Sequence, residues 1–525
     1  MSQEFSFNLV DKPWIPCIKN DGTQVTLNLQ QVMSQAHKIR ALTGDTPLIT
    51  AALHRFLLTI LHRVFGPDSE DEWAELWEEE MWDMASLNRY LEKWKSRFDL
   101  FDAERPFYQS SDDRMKTKST ISLSHDKSSG NNPTLFDHHT EEIGESLTPA
   151  QAAHILLTVQ SFGLAGLSGI SRTFTDGTMA SGIIFLVQGN NLKETLMLNM
   201  IQYPPDELFQ NIHTRDDKPS WEMDNPFNPD RKNPFGYLDY LTWQNRKVLL
   251  FPEETKEGVV VKKMTMGPAL RYDAAILDPM KNYRIHKKLG PLNYSFSEDR
   301  VFWRNSSSLF AFSDDMSKKA VPPATLRWLR HLVKELGIPR RNQTYSTLAL
   351  GMSKKQAKVF FFRQEQLPIP LDYLTDEILV EKLDNAINTS GTVAFDLVQT
   401  ARLLGMYQQV STVEEKGWHK QWAGLNVNAK SAINDWITHT DMERNYWANL
   451  DIPFQAFIVE LARDEEKALA EWYAQLRKSA WRAFELATQS LGNDARSFKA
   501  MVKGESYLRY RLNEVLPKIE KEKTL

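Results

Sequence analysis

The C-terminal part of the sequence repeats apolar residues at helical spacing, and this pattern constrains the fold more than any other feature. Within one stretch the apolar residues step by three or four positions: Leu469, Trp472, Leu476, Ala480, Phe484, Ala487 and Leu491. A helix places such residues on one face, and that face must be buried against other helices. Similar patterns cover about 373–388, 392–410, 428–449 and 494–516. These five stretches are enough for an all-α four-helix bundle, which we predict over residues 367–525.

Residues 1–366 have a different pattern, with short apolar runs interrupted by proline, glycine and long polar stretches. We expect a buried helix over 47–64, and a second helix that begins at Thr148 with Pro149 in its first position. Short strands and loops are predicted for about 183–365. The whole chain is therefore predicted to be α+β, with a mixed α/β N-terminal body of short strands and long loops before the bundle. Its 525 residues are enough for more than one core.

Composition excludes several classes of protein. The sequence contains no run of about 18 apolar residues, the length that a membrane span needs. The start, MSQEFSFNLV, lacks the features of a secretory signal. The one cysteine, Cys17, excludes an intrachain disulfide and a cysteine-rich zinc site. We therefore expect a cytoplasmic protein without a membrane partner.

Charge is unevenly distributed along the chain. The formal net charge is -5, but residues 278–363 contain 17 Lys and Arg against 6 Asp and Glu, a local net charge of +11. A basic region on an acidic protein is typical of a surface that binds nucleic acid with part of the molecule. The alternative is a set of lysines that only solvates one face.

Within this basic region, residues 351–363 read GMSKKQAKVFFFR. Three lysines, Lys354, Lys355 and Lys358, surround the neutral amide of Gln356, and an apolar run follows. The pattern predicts a tight polar tip on a β-strand. We expect Phe360–Phe362 to anchor that strand in the core.

A glycine-rich stretch covers residues 163–182, with glycines at 163, 166, 169, 177 and 182. Its spacing differs from the GxGxxG of dinucleotide sites. Glycines allow backbone amides and carbonyls to approach a partner without obstruction by side chains. The alternative interpretation is a simple loop between strands.

The sequence FDHH (136–139) contains residue types that bind Mn or Zn. It allows an enzyme hypothesis, in which Asp137, His138 and His139 serve a metal-dependent phosphodiesterase. Such enzymes need further aspartates on neighbouring strands, and no convincing partner motif is present. A phosphate-binding GxxxxGK[ST] loop is also missing. We therefore expect no bound metal and no cofactor, and the phosphodiesterase stays as an alternative at this point.

Several motifs occur together in an order that resembles a known family. They are FNLVDKPWIPC (7–17), GNNPTLFDHH (130–139), GLAGLSG (163–169), LDPMKNYR (277–284) and FWRN (302–305), followed by the helical C-terminal region. Together they resemble the CasA-type large subunits of type I-E CRISPR Cascade, an RNA-guided antiviral surveillance complex. The resemblance implies a non-enzymatic subunit that reads the protospacer-adjacent motif (PAM) of double-stranded DNA and starts R-loop formation.

The resemblance also implies roles for particular residues. Lys355-Gln356-Ala357 matches the hairpin tip that the family inserts beside the PAM, and Lys354 and Lys358 would hold phosphates. Gly166, Ser168 and Gly169 match the loop that faces the PAM minor groove. Because Ser168 stands where a glycine can stand, the set of accepted PAMs is expected to differ. Lys281 is the candidate for a lysine that probes the minor groove, with Lys287 and Lys288 as alternatives.

Finally, the resemblance implies partners. Asn131, Asn132, Leu135 and Phe136 match a segment that docks onto the guide-RNA 5′ handle and neighbouring Cascade subunits, and His138 and His139 would then be contact residues. The bundle would contact other subunits and the displaced DNA strand, and help to recruit a helicase-nuclease. A purely structural scaffold of a ribonucleoprotein remains as a second alternative.

Overall fold

The computed structural model describes residues 5–124, 146–170, 172–203, 205, 216–272, 276–312, 320–340, 342–355, 358–414 and 417–517. The chain forms two compact units. The first contains residues 1–302 and 308–367, and the second contains residues 303–307 and 368–525.

The buried helix predicted over 47–64 is present as Pro47–Phe65, and it lies at the centre of the first unit. Thr46 caps this helix, because its side chain accepts a hydrogen bond from the backbone of Ile49. Helix Pro149–Phe162 packs against it and begins with a capping box formed by Thr148 and Gln151. The other helices described in this unit are Leu29–Ser34, Glu70–Glu78, Met84–Lys93, Leu192–Leu198, Tyr237–Leu241 and Ala324–Glu335.

Pro47–Phe65 is also the one described helix that is long and apolar enough to cross a membrane by length and composition. Most of its residues are buried inside the protein, and it carries the buried side chains of His54 and Arg55. A mostly buried helix is typical of a protein core, whereas a buried arginine such as Arg55 is rare and needs a partner.

The described strands form four three-stranded sheets. The first sheet contains Ile15–Lys19, Gln24–Leu27 and Ile39–Leu42, and the second contains Lys118–Ser119, Arg246–Thr255 and Gly258–Pro268. The third contains Tyr283–His286, Gly290–Asn293 and Ala320–Val321. The fourth has Thr344–Lys355 between Ile184–Gln188 and Lys358–Pro370. Thr344–Lys355 also packs against the central helix, so this sheet is anchored to the core.

The second unit is helical, as predicted, and the α+β fold class is confirmed. Its described helices are Glu377–Gln409, Trp418–Gly424, Val427–Thr440, Met442–Ala448, Asp451–Leu461, Glu465–Thr488 and Ala495–Val515. The predicted apolar stripe is largely buried, with Trp472, Leu476, Ala480, Phe484 and Ala487 in the core. Trp303 belongs to this unit, where its ring stacks on Phe454 at a centroid distance of 4.2 Å.

Two helix boundaries differ from the predicted pattern. The segments expected over 373–388 and 392–410 form the single 33-residue helix Glu377–Gln409, which continues through Gly391. Conversely, the segment expected over 428–449 is two helices, because Asp441 adopts a left-handed conformation with φ +46°. A left-handed residue ends the α-helical hydrogen-bond pattern and redirects the chain.

Candidate nucleic-acid interface

The glycine-rich stretch forms a loop, described for residues 163–170 and 172–177, which we call the glycine loop. It leaves the helix Pro149–Phe162 at Gly163 and closes on itself, since the backbone of Gly177 donates to the Gly163 carbonyl at 2.7 Å. Halfway along the loop, Phe174 N donates to the Gly166 carbonyl at 2.9 Å. These bonds give the loop a defined shape that presents residues 166–169 at its far end.

The glycines of this loop are present for different reasons. A Cβ atom on Gly163 would lie 2.2 Å from Cζ of Arg246, and one on Gly177 would lie 2.3 Å from the Ser161 carbonyl oxygen. Gly169 has φ +83°, which favours glycine. Gly166 has neither constraint, because nothing lies within 4 Å of a Cβ built there. Nothing in the described chain therefore requires glycine at position 166, and its surroundings are open to a partner.

Two side chains at the end of the loop behave in opposite ways. The side chain of Ser168 is buried and hydrogen-bonds within the loop, donating to the Arg172 carbonyl and accepting from Ile170 N at 3.2 Å. Leu167 is 89% exposed. The Ser168 side chain therefore stabilises the conformation of the loop. A contact between Ser168 and DNA stays a prediction.

Arg246 holds the base of the glycine loop. Its guanidinium is buried and donates to the carbonyls of Leu164 at 2.6 Å and Thr175 at 3.1 Å, one on each side of the loop. Burial lowers the pKa of Arg246 to about 10, against the opposing influence of Asp176. The sequence does not single out this residue, because an isolated arginine at the start of a strand has no recognisable pattern.

The predicted polar tip lies between two neighbouring strands of the fourth sheet. Two residues separate Thr344–Lys355 from Lys358–Pro370, and this spacing fits a β-hairpin. We call these two strands the 344–370 hairpin. The side chains of Lys355 and Lys358 are exposed. Gln356 and Ala357 lie outside the described residues, so their predicted role as the inserted tip stays a prediction.

The expected anchoring by Phe360–Phe362 is only partly correct. Phe362 packs against the core, but Phe360 is 55% exposed. Successive side chains of a strand point to opposite faces, so Phe361 cannot share the core-facing side of Phe362. Phe360 shares that side but lies two residues from the start of the strand Lys358–Pro370, beside the hairpin tip. The ring of Phe361 instead lies under Arg363, whose Cζ is 4.6 Å from the ring centroid.

Lys354 connects the hairpin to the glycine loop. Its ammonium forms an ion pair with one carboxylate oxygen of Asp176, and its side chain is only 15% exposed. The other oxygen of Asp176 accepts a hydrogen bond from Ala165 N in the glycine loop at 2.8 Å. Asp176 is itself a residue of the glycine loop, so its ion pair joins this loop to a hairpin far away in sequence, and the Lys354 ammonium is engaged within the chain.

Lys281 is also engaged within the chain. It is 5% exposed, and its ammonium donates to the Thr178 carbonyl at 2.6 Å, just after the glycine loop. Burial lowers the pKa of Lys281 to about 8, although the nearby Asp278 acts in the opposite direction. Lys287 and Lys288 are exposed, between strands Tyr283–His286 and Gly290–Asn293. A minor-groove contact by any of these three lysines stays a prediction.

A buried ion pair supports Lys281 and Thr178 from the core. Arg55 of the central helix contacts Asp278 at 2.5 Å, with side chains 2% and 1% exposed, and donates to the Thr178 hydroxyl at 3.0 Å. Asp278 also accepts from Tyr240 Oη at 3.1 Å. Burial opposes ionisation of Asp278, but the charges of Arg55 and Lys281 outweigh it and hold its pKa below the ordinary value.

The buried ammonium of Lys281 has a consequence for the pH dependence of stability. Between pH 8 and 10.5 the unfolded chain binds more protons at this site than the folded chain, because the folded pKa is about 8 and the ordinary value is 10.5. The contribution of Lys281 to the free energy of unfolding therefore rises with pH through this window. When urea unfolding is measured at pH 8 and at pH 10.5, the free energy of unfolding should rise more between the two for the wild type than for Lys281→Met. Parallel pH profiles of the two proteins would contradict this assignment.

The structure does not describe the other residues that the sequence predicts to have a function. Asn131, Asn132, Leu135 and Phe136, together with Asp137, His138 and His139 of the phosphodiesterase hypothesis, lie outside the described residues. Within the described ranges, no three His, Cys, Asp or Glu side chains are grouped to hold a metal ion. The structure thus brings together Gly166, Ser168, Gly169, Lys281 and Lys354, and adds Asp176 and Arg246, which the sequence did not indicate.

A protein family and several solved structures are similar to this chain. The family described as CRISPR-associated protein Cse1 matches residues 8–483. CasA/Cse1 of Thermus thermophilus is 33% identical over 522 residues, which cover 97% of this chain and 98% of that protein. A crystal structure of T. thermophilus CasA is similar with a TM-score of 0.78 at 28% identity, covering 97% of this chain and 100% of that chain.

Two further structures share the fold. Cse1 of Acidimicrobium ferrooxidans has a TM-score of 0.79 at 25% identity, covering 98% of this chain and 99% of that chain. A chain of a CRISPR RNA-guided surveillance complex has a TM-score of 0.72 at 20% identity, covering 96% of this chain and 99% of that chain.

Proposed function

The chain belongs to the CRISPR-associated Cse1 family, also called CasA, and on that premise we propose that it reads the PAM of double-stranded DNA and opens the duplex for a guide RNA. It acts as the large subunit of a Cascade surveillance complex, without catalytic activity of its own. Its partners are the target duplex with its displaced strand, the guide-RNA 5′ handle, the other Cascade subunits and a helicase-nuclease recruited after R-loop formation.

The observation that carries this proposal is the open surroundings of Gly166. Nothing lies within 4 Å of a Cβ built on Gly166, so a large partner can approach the Cα side of this glycine closely, while its amide and carbonyl are paired with Phe174 within the loop. The minor groove is narrow, and its base edges present a degenerate pattern of acceptors and donors. Bare backbone is suited to enter such a groove, and it would accept several related PAM sequences.

The 344–370 hairpin supports the second step, the opening of the duplex. Its exposed lysines, Lys355 and Lys358, lie on either side of Gln356 and Ala357 in the sequence. Cations that hold phosphates offset the cost of unstacking, which is a few kcal/mol per base step. A neutral amide between them enters the stack without bringing a charge into it, and hydrogen-bonds the base edges that it exposes.

Strand separation tests this role directly. In the complex assembled with guide RNA, Gln356→Ala should slow opening by about tenfold, because about 1.4 kcal/mol of wedge stabilisation is lost. Initial association with the duplex should change little. The measurement is the fluorescence of a base analogue at the first target base pair, followed after rapid mixing.

Gln364→Ala is the matched control, since Gln364 is an exposed glutamine on the same strand, away from the tip. It should open the duplex at the wild-type rate. Equal opening rates for Gln356→Ala and the wild type would contradict the wedge. If the Gly166→Asp variant also opened the duplex normally, the structural-scaffold alternative would be favoured.

A further inference from the structure

Asp176 lies near the end of the glycine loop and joins this loop to the 344–370 hairpin, the two elements that we propose contact DNA. Its Oδ1 accepts from Ala165 N of the glycine loop at 2.8 Å, and its Oδ2 forms the ion pair with Lys354 of the 344–370 hairpin. Ser181 Oγ adds a long hydrogen bond to the same Oδ2 at 3.4 Å. The carboxylate is partly shielded, with 35% of the side chain exposed against 15% for Lys354.

We propose that Asp176 is a positioning residue that couples PAM reading to duplex opening by fixing the distance between the glycine loop and the hairpin. The inference rests on the proposed function and deepens it. Neither Asp176 nor its ion pair needs to touch DNA for this role.

Spacing matters because the two elements act on neighbouring base pairs. Successive base pairs are stacked about 3.4 Å apart, so a wedge displaced by that distance meets the wrong step. Charge-assisted hydrogen bonds are short and strong, so an ion pair whose carboxylate is also hydrogen-bonded to the loop backbone opposes such a displacement. Lys354 precedes Gln356 by two positions, so the constraint acts close to the proposed wedge.

The glycine loop and the hairpin are each held in place by other contacts. The ion pair between Asp176 and Lys354 therefore fixes their relative position and is not needed to fold either of them. Arg246 holds both sides of the glycine loop independently of Asp176. The hairpin is held by antiparallel pairing of Thr344–Lys355 with Ile184–Gln188, for example Leu350 opposite Ile184. Loss of the pair should therefore leave both elements folded but misaligned.

Two neutral substitutions break the pair while sparing its neighbours. Asp176→Asn keeps an amide oxygen for Ala165 N but loses the charge, and Lys354→Met keeps most of the side-chain volume. In the assembled complex, each should reduce the opening rate beside a matched PAM by about tenfold, within the usual range of coupling between sites. PAM-dependent association should change by less than about threefold, because the glycine loop remains intact.

Three comparisons separate positioning from a general structural role. Lys354→Arg should restore most of the opening rate, because it keeps the ion pair. The double variant should be no slower than either single variant, since both remove one interaction. Lys262→Met is a control in the first unit, because it removes a largely exposed ion pair in which Lys262 Nζ lies 2.7 Å from a carboxylate oxygen of Glu253. A complex with this variant should open DNA at the wild-type rate.

Opening at the wild-type rate in Lys354→Met and Asp176→Asn would overturn the proposal, as would additive losses in the double variant or no recovery in Lys354→Arg. Thermal unfolding and incorporation into the complex are measured for every variant. Gln356→Ala and Gly166→Asp are assayed in parallel. If Gln356→Ala and Gly166→Asp open DNA more slowly but the ion-pair variants do not, only the proposed coupling through Asp176 is contradicted. If all variants open DNA at the wild-type rate, the proposed function is contradicted as well.

Discussion

Gly166→Asp should fold and assemble like the wild type but bind PAM-containing duplexes roughly 100-fold more weakly, a change of about 2.7 kcal/mol. The side chain enters open space in the free chain, so folding is not disturbed. In the complex, however, it would occupy the space proposed for the minor groove. Its carboxylate would also face phosphates and the acceptor atoms of base edges, where like charge is costly. Equilibrium binding of matched and scrambled PAM duplexes measures the effect.

Gly424→Asp is the matched control for this variant. It places the same side chain into open space, at an exposed position at the end of the helix Trp418–Gly424 in the second unit. We expect wild-type PAM-dependent binding from it. Wild-type binding by Gly166→Asp as well would show that position 166 does not approach DNA. Gly166→Ala, with a much smaller side chain, should give an intermediate loss.

Arg55→Met should cause the largest loss of stability among the substitutions considered, about 3–5 kcal/mol in the free energy of unfolding. Asp278 is almost fully buried, and the guanidinium of Arg55 is its closest counter-ion, at 2.5 Å. Removing that charge leaves a buried carboxylate with only Lys281 and hydrogen-bond donors to compensate it. Denaturant-induced unfolding, monitored by circular dichroism, measures the change.

Two further variants show whether the buried charge is responsible. Lys262→Met, which removes an ion pair whose side chains are 43% and 44% exposed, should change the free energy of unfolding by less than about 1 kcal/mol. Arg55→Met combined with Asp278→Asn should recover part of the loss, because no uncompensated charge remains. Equal losses from Arg55→Met and Lys262→Met would contradict this account.

Local patterns predicted those parts of the fold that local physics determines. The stripe from Trp472 to Ala487 is buried because residues at helical spacing share one face, and the helix Pro149–Phe162 begins after Thr148 as expected. The exact helix limits were not predictable in the same way. Gly391 continues a helix although glycine weakens helices, and Asp441 breaks one although nothing in its residue type requires this.

The candidate site shows the same division. The glycine loop and the lysine-rich tip are visible as compositional patterns, but Asp176 and Arg246 are ordinary residues whose importance comes from distant partners. Asp176 pairs with a lysine 178 positions away, and Arg55 with a carboxylate 223 positions away. Periodicity carries no information about such contacts. Structure also separates Gly163, held by packing, from Gly166, which is open.

The most direct test of the central claim uses the wild-type chain assembled with the other Cascade subunits and a guide RNA. A library of duplexes shares one guide-complementary sequence and is randomised in the flanking positions, and the bound fraction is sequenced. The account predicts that a few related flanks are strongly enriched, and that Gly166→Asp removes the enrichment without affecting assembly. Equal binding of all flanks by the wild type would contradict it.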